Sequence, residues 1–261
     1  MYIKKIIDSE KSEYEKINNS FGYIFNSYAW SEIYPDKILR LGIYKSDGKL
    51  IGGFCIYIDR IFSFKHIKNP PFCPYVGPFY INEYTNHSKS LSFKKKIAAV
   101  IAEYLSSYKF SIITISFHPD FIDMQPFYWD KYKVIANYTY KISLLNNLDH
   151  IYSRFSTNRK NDISKASKNQ FLVKKSTDYN LASRIIGEQY KKKKIRVNSD
   201  IIYRLGSSYL SSANTIFLIS EKDKKMYSYC ICIFDDKIAY YLFGGKQKNS
   251  KTNHGDGPML L

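Results

Sequence analysis

Asp47-Gly-Lys-Leu-Ile-Gly-Gly-Phe-Cys-Ile-Tyr-Ile-Asp59 and Asp223-Lys-Lys-Met-Tyr-Ser-Tyr-Cys-Ile-Cys-Ile-Phe-Asp235 align without a gap at a constant offset of 176 residues. Each opens on a charged turn, runs on as a long apolar stretch and closes on Asp. Each is preceded by a β-rich stretch, residues 38–44 in the first copy and 215–220 in the second. Asp47-Gly48 is a strong hairpin turn signal. The nearly continuous apolar run of residues 50–58 predicts a strand covered on both faces. Two unrelated hairpins would also share this period and turn chemistry. Here each copy follows a helix-rich segment, and the separation is close to a domain length, so the chain reads as two related halves.

Outward from the repeat, helices and strands alternate, which predicts an α/β or α+β chain. Residues 6–18 and 93–108 carry helical periodicity, and residues 111–117 are β-branched. Residues 68–80, with four prolines and a glycine, form an extended loop rather than a helix. Residues 132–144 read as a strand pair or one long strand. Residues 148–169 read as one basic amphipathic helix, with Ile151, Phe155, Ile163 and Ala166 inward. Helices over 179–193 and 199–210 follow, with Asp178 and Asn198 as N-caps. A strand meander closes the pattern, over residues 215–220, 226–234 and 237–243. The boundary is expected near residues 144–150, dividing the chain into 1–146 and 147–261.

Forty Lys and Arg against 23 Asp and Glu leave a formal charge of +17 over 261 residues. Lysines number 33 and arginines seven. Arginine is the residue that binds phosphate bidentately. Lys, Ile, Asn and Tyr have A/T-rich codons, a source of charge independent of any partner. The field favours anionic partners: tRNA, coenzyme A, a lipid pyrophosphate or a membrane surface. No apolar run approaches the roughly 20 residues of a spanning helix, so the expectation is a cytoplasmic chain with no transmembrane segment. Cys230 and Cys232 alternate on one strand and share a face. Cys55, Cys73, Cys230 and Cys232 lack metal-ligand spacing and read as buried free thiols.

Several stretches resemble the FemAB-like branch of the GNAT acyltransferase superfamily. They are Ser27-Tyr-Ala-Trp30, Asp47-Gly-Lys-Leu-Ile-Gly-Gly53, the proline-rich loop ending in Tyr75-Val-Gly-Pro78, and Asn158-Arg-Lys-Asn-Asp-Ile-Ser-Lys-Ala-Ser-Lys-Asn-Gln-Phe-Leu-Val173. The last is similar to the family's R-x-x-I-x-K-A-x-K-x-G-V segment, with Asn169-Gln170 where the pattern has Gly. Phe243-Gly-Gly245 and the later Gly255 and Gly257 add to it. The likeness runs from about residue 25 to the end. It implies two GNAT-like lobes with mixed central sheets flanked by helices. It also places Thr252 where the GNAT pyrophosphate loop has Gln or Arg. A further helix and strand are expected past Pro258-Met-Leu-Leu261, so the second lobe is expected to be incomplete within these residues.

The resemblance implies transfer of an acyl group to an amine of a cell-envelope or polysaccharide precursor. The donor is acetyl-CoA or a similar acyl-CoA, with no bound cofactor. The alternatives are a FemAB-type aminoacyltransferase that uses charged tRNA to build a peptidoglycan bridge, and a non-catalytic RNA- or anionic-glycolipid-binding module. A peripheral membrane-surface contact fits each of them. Direct attack by an amine needs positioning and an oxyanion donor rather than a covalent nucleophile. Arg159, Lys165, Gly244, Gly245, Gly255 and Gly257 are the candidate donor-binding residues. Trp30, Tyr75, Gly77 and Pro78 are the candidate acceptor-binding residues. No general base is assigned; His254 and Asp256 are the nearest candidates. Each of the five histidines, His66, His87, His118, His150 and His254, reads as a surface or loop residue.

Overall fold

The computed structural model describes residues 1–108, 111–145 and 147–246. The chain divides into two compact units, Met1–Thr139 and Tyr140–Leu261. The first begins with strand β1 (Tyr2–Lys5), helix α1 (Lys11–Phe21) and the short helix α2 (Tyr28–Ser31), whose N-cap Ser27 accepts from the Trp30 N–H. Strands β2 (Ile38–Tyr44), β3 (Leu50–Ile61) and β4 (Phe64–Lys68) form an antiparallel meander beside β1. The two-residue strand β5 (Phe79–Tyr80) pairs with β3 at Gly52 and Gly53. Helix α3 (His87–Ser106) then crosses to β6 (Ser111–Thr114), which runs parallel to β4, and α4 (Gln125–Trp129) follows.

Both faces of β3 are covered. Phe93, Ile97, Ile101 and Leu105 of α3 recur at helical spacing and bury against Leu41, Ile43, Ile51, Phe54 and Ile56. Tyr14 and Ile17 of α1 pack with Tyr44, Leu50 and Phe79 in a second cluster. A strand buried from two sides needs no polar face, which is why residues 50–57 are apolar without interruption.

The second unit begins with α5 (Leu148–Ser153) and α6 (Thr157–Lys168). Strand β7 (Leu172–Lys175), helix α7 (Tyr179–Lys192) and helix α8 (Ser199–Arg204) follow, and α8 is extended by a π-helical turn over Leu205–Leu210. Among the described residues, strands β8 (Thr215–Lys222), β9 (Lys225–Phe234) and β10 (Ala239–Lys246) join β7 in a four-stranded antiparallel sheet in the order β10-β9-β8-β7. Asp178 and Asn198 cap α7 and α8 as expected, accepting from Leu181 N–H (2.9 Å) and Asp200 N–H (2.8 Å).

The two units repeat one plan: a strand, two helices, then a three-stranded meander joined to the first strand. The hairpins at its centre also match in register. In β2–β3 the pairing slips between Ile43↔Gly52 and Tyr44↔Leu50, leaving Ile51 as the extra residue. In β8–β9 it slips between Ser220↔Ser228 and Glu221↔Met226, leaving Tyr227 extra. Ile51 and Tyr227 are 176 residues apart, the offset of the sequence repeat. A bulge is a specific insertion in the ladder, and a bulge at the matching place is more than two hairpins share by period alone.

Several expectations are corrected. Residues 132–144 contain no strand, and the side chains of Tyr138 and Tyr140 are 96% and 99% exposed. Their alternation creates an apolar edge, but among the described residues no ladder forms on it, and alternation without a partner does not make a strand. The single basic helix over 148–169 is two helices, because Ser156 caps a new start by accepting from Arg159 N–H (3.4 Å). Of its inward candidates Ala166 is fully buried and Phe155 is exposed. Gln170, where the family pattern has glycine, has φ 61°. Its N–H donates to Ser167 O (3.0 Å) and Phe171 N–H donates to Ala166 O (3.2 Å). This is the paired closure of a helix C-terminus that favours glycine at that place. Among the described residues no helix is long and apolar enough to cross a membrane.

Candidate functional site

In the first unit the loop after β4 is held on the adjoining segments by its backbone. Val76 N–H donates to Ser116 O (2.9 Å) and His118 N–H to Val76 O (3.0 Å). Asn69 Oδ1 accepts from Ser116 N–H (2.9 Å). Asn26, fully buried in the 3-10 turn Ile24–Asn26, accepts at Oδ1 from Cys55 N–H (3.2 Å) and Gly77 N–H (3.4 Å). It also accepts at its carbonyl from Tyr14 Oη–H (3.2 Å). One side chain thus ties the strand, the helix turn and the loop together.

The loop presents Tyr75 to an aromatic cluster. Tyr23 stacks on His118 with ring centres 3.7 Å apart, and Tyr75 meets His118 edge-on at 4.6 Å. Tyr75 also lies edge-on to Tyr23 and Phe25. His118 lies in a loop, as its reading as a surface or loop residue allowed, but it is buried rather than at the surface. Its Nδ1 accepts from Asp120 N–H at 3.1 Å, which assigns the ring proton to Nε2. The Asp120 carboxylate stands beyond hydrogen-bond reach, at 3.6 Å. Burial, with the Asp120 charge second, pushes the Tyr23 phenol well above its usual range. At neutral pH it is therefore a donor and not a base. Of these rings Tyr23 and Tyr75 are half-buried, and their flat faces and hydroxyl edges form a surface that can stack a sugar or ring and orient it.

Of the acceptor candidates, Tyr75 is half-buried at this cluster. Gly77 and Pro78 are buried and joined by a cis peptide bond, so they shape the loop from inside. Trp30 is a correction. It is wholly buried, its Nε1–H donates to Cys73 Sγ (2.8 Å), and its ring packs edge-on against Phe25. It belongs to the core.

In the second unit Tyr229 Oη–H donates to Gln189 Oε1 (2.5 Å), and Gln189 Nε2–H donates to Gly244 O (3.0 Å). This relay ties α7 to β10. Burial, with the nearby Tyr241 and Tyr190 second and third, pushes the Tyr229 phenol up to about 12, so it too stays a donor. A side chain at Gly244 would collide with the Tyr241 phenol, and one at Gly245 would press on the Tyr229 ring at 3.0 Å. The two glycines therefore make room for the protein's own tyrosines. Arg159 and Lys165 are exposed on α6, with the Arg159 guanidinium 3.9 Å from Asp162. Gly255, Gly257, His254, Asp256 and Thr252 lie outside the described residues.

Sequence comparison is silent: no protein-family model and no curated protein matches the chain. Among solved structures, FemX matches 98% of this chain and 83% of its own, with a TM-score of 0.59 and 11% identity. The chain has the FemX fold. The BH1408 protein from Bacillus halodurans matches 55% of the chain and all of its own length at 9% identity, with a TM-score of 0.31, too low to indicate a common fold. The FemX-like architecture is the FemAB-like one expected from residues 25 onward.

Asn26, Tyr23, Gln189 and Tyr229 escaped the sequence reading, and His118 was read there only as a surface or loop residue. None belongs to a spaced motif, and each acquires its role from a partner at least 29 residues away in the chain or, for Tyr229, 40.

Proposed function

We propose that the chain is a FemAB-type aminoacyltransferase, carrying an amino acid from charged tRNA to an amine of a cell-envelope precursor in the cytoplasm. The FemX fold over 98% of the chain is the observation that supports this reading. The amine nitrogen attacks the aminoacyl ester carbonyl. The tetrahedral oxyanion collapses, an amide forms, and the ribose hydroxyl of the tRNA leaves with the proton. Such a step asks for donors and positioning rather than a nucleophilic side chain. The net charge of +17 suits a polyanionic donor. We assign Arg159 and Lys165 to donor binding and the Tyr23–Tyr75–His118 cluster to the acceptor.

The test incubates the chain with a muramyl-pentapeptide precursor and either radiolabelled aminoacyl-tRNA or acetyl-CoA, and reads the product by mass spectrometry. The expected product carries an amino acid and forms only with charged tRNA. An acetylated product would move the assignment to the acyl-CoA donor. Saturable, salt-sensitive tRNA binding without either product would leave an RNA-binding module.

A further inference from the structure

The tip of the β3–β4 hairpin breaks two rules of β-turn composition. Ile61 and Phe64 are register partners, so Phe62 and Ser63 form the turn. Phe62 has φ 53°, a left-handed conformation that suits glycine or asparagine and is uncommon for a bulky side chain. Its side chain is also 95% exposed, beside exposed Phe64 and Ile61. Only the first of the two turn residues has positive φ, so Gly-Ser would form the same turn without the strain and without apolar surface in water. Folding therefore does not account for Ile61-Phe-Ser-Phe64, and an outlier of this kind points to function.

One step behind the tip, Arg60 and Lys65 stand directly opposite each other across the ribbon. Like charges at that position repel. Both are exposed, and both line an open cleft of about 930 Å³ with Lys5, Lys37 and Arg40. The cleft also contains Glu32, Asp36 and Asp59. Asp59 is already engaged by Lys37 (3.0 Å) and Lys68 (3.1 Å), leaving Arg60 and Lys65 as the cations nearest the apolar tip.

We propose that this hairpin docks the protein on an anionic phospholipid membrane. Phe62, flanked by Ile61 and Phe64, enters the boundary between headgroups and acyl chains, and Arg60 and Lys65 meet the lipid phosphates. Apolar insertion and cation attraction together are the two signals that surface binding requires. An apex led by the 95%-exposed Phe62 suits a soft apolar phase, whereas a nucleic-acid strand would be held by the cations alone. The docking surface is independent of the transfer reaction.

The test is co-sedimentation of the whole chain with phosphatidylcholine vesicles, with and without about 30% phosphatidylglycerol, at physiological salt. The wild type is expected to partition onto the anionic vesicles only. Phe62→Gly relieves the turn while removing the apolar side chain. It is expected to keep or raise the thermal midpoint and to lower partitioning at least about tenfold. Arg60→Ala and Lys65→Ala are each expected to lower it about fivefold. The proposal is overturned if the wild type ignores anionic vesicles or if Phe62→Gly binds as well as the wild type. Binding that depends on Arg60, Lys65 and salt but not on Phe62 would also overturn it, because the tip's cations would then be a plain polyanion face such as RNA requires.

Discussion

Asn26→Ala removes the acceptor that joins β3 to the Tyr75–Pro78 loop, and its cost can be worked from the contacts. Two buried N–H groups, those of Cys55 and Gly77, lose their partner. A buried donor left unsatisfied costs about 1–3 kcal/mol. The Gly77 bond, at 3.4 Å, is long and belongs at the low end. Asn26 Nδ2 is itself buried without a hydrogen-bond partner, so its removal returns a fraction. The expected net loss is about 2–4 kcal/mol. Both tryptophans, Trp30 and Trp129, lie in the first unit, so tryptophan fluorescence reports that unit's unfolding separately. With a urea slope of about 2 kcal/mol/M the midpoint should fall by about 1–2 M. Asn26→Asp keeps an acceptor but buries a carboxylate, which raises its folded pKa. That variant should be weak at neutral pH and recover as the pH falls through the raised pKa. An Asn26→Ala loss below about 1 kcal/mol, or no acid recovery of Asn26→Asp, would refute the assignment of Asn26 as the buried tie.

Gln170→Gly should stabilise the second unit by about 0.5–1 kcal/mol, read by circular dichroism melting, because Gln170 occupies a left-handed helix-closing position at φ 61°. Gly52→Ala should destabilise the first unit by about 3 kcal/mol or more in the same urea assay, since its Cβ would run into the Phe79 carbonyl on the paired backbone. For Asp59, burial works to raise the pKa, but hydrogen bonds from Lys37 and Lys68 outweigh it and hold the group at about 2. With the unfolded value at 3.8, the added stability is present above about pH 4 and is lost as pH falls through 2. Because the site is partly exposed, roughly 1 kcal/mol is expected, and Asp59→Asn should flatten this part of the acid titration. Arg159→Ala with Lys165→Ala should leave the melting temperature unchanged and raise the donor KM several-fold, because both side chains stand in solvent.

Local patterns were legible wherever one residue type had one physical consequence. Asp47-Gly48 made its turn, with Gly48 at φ 88° and Asp47 Oδ1 accepting from Lys49 N–H (3.0 Å). Asp178 and Asn198 capped their helices. The candidate site was less legible. Trp30 and Tyr75 are both aromatics beside turn-rich segments, yet one is core and the other lines the cluster. His118 carries no spacing signal, and only the approach of the 23–25 and 69–78 segments buries it against Tyr23.

By itself the sequence determined the repeated plan, because a strand buried on both faces must be apolar throughout and a turn must carry residues that tolerate its dihedrals. The 176-residue offset already held the two hairpins, and their bulges at Ile51 and Tyr227 followed from it. Tertiary structure decided what alternation and composition leave open. Residues 132–144 have a strand's pattern and no strand, because a ladder is a property of two segments. Gly244 and Gly245 have a ligand-approach pattern, and the protein's own Tyr241 and Tyr229 take the space, because what fills a gap beside a glycine depends on which side chains the fold brings there.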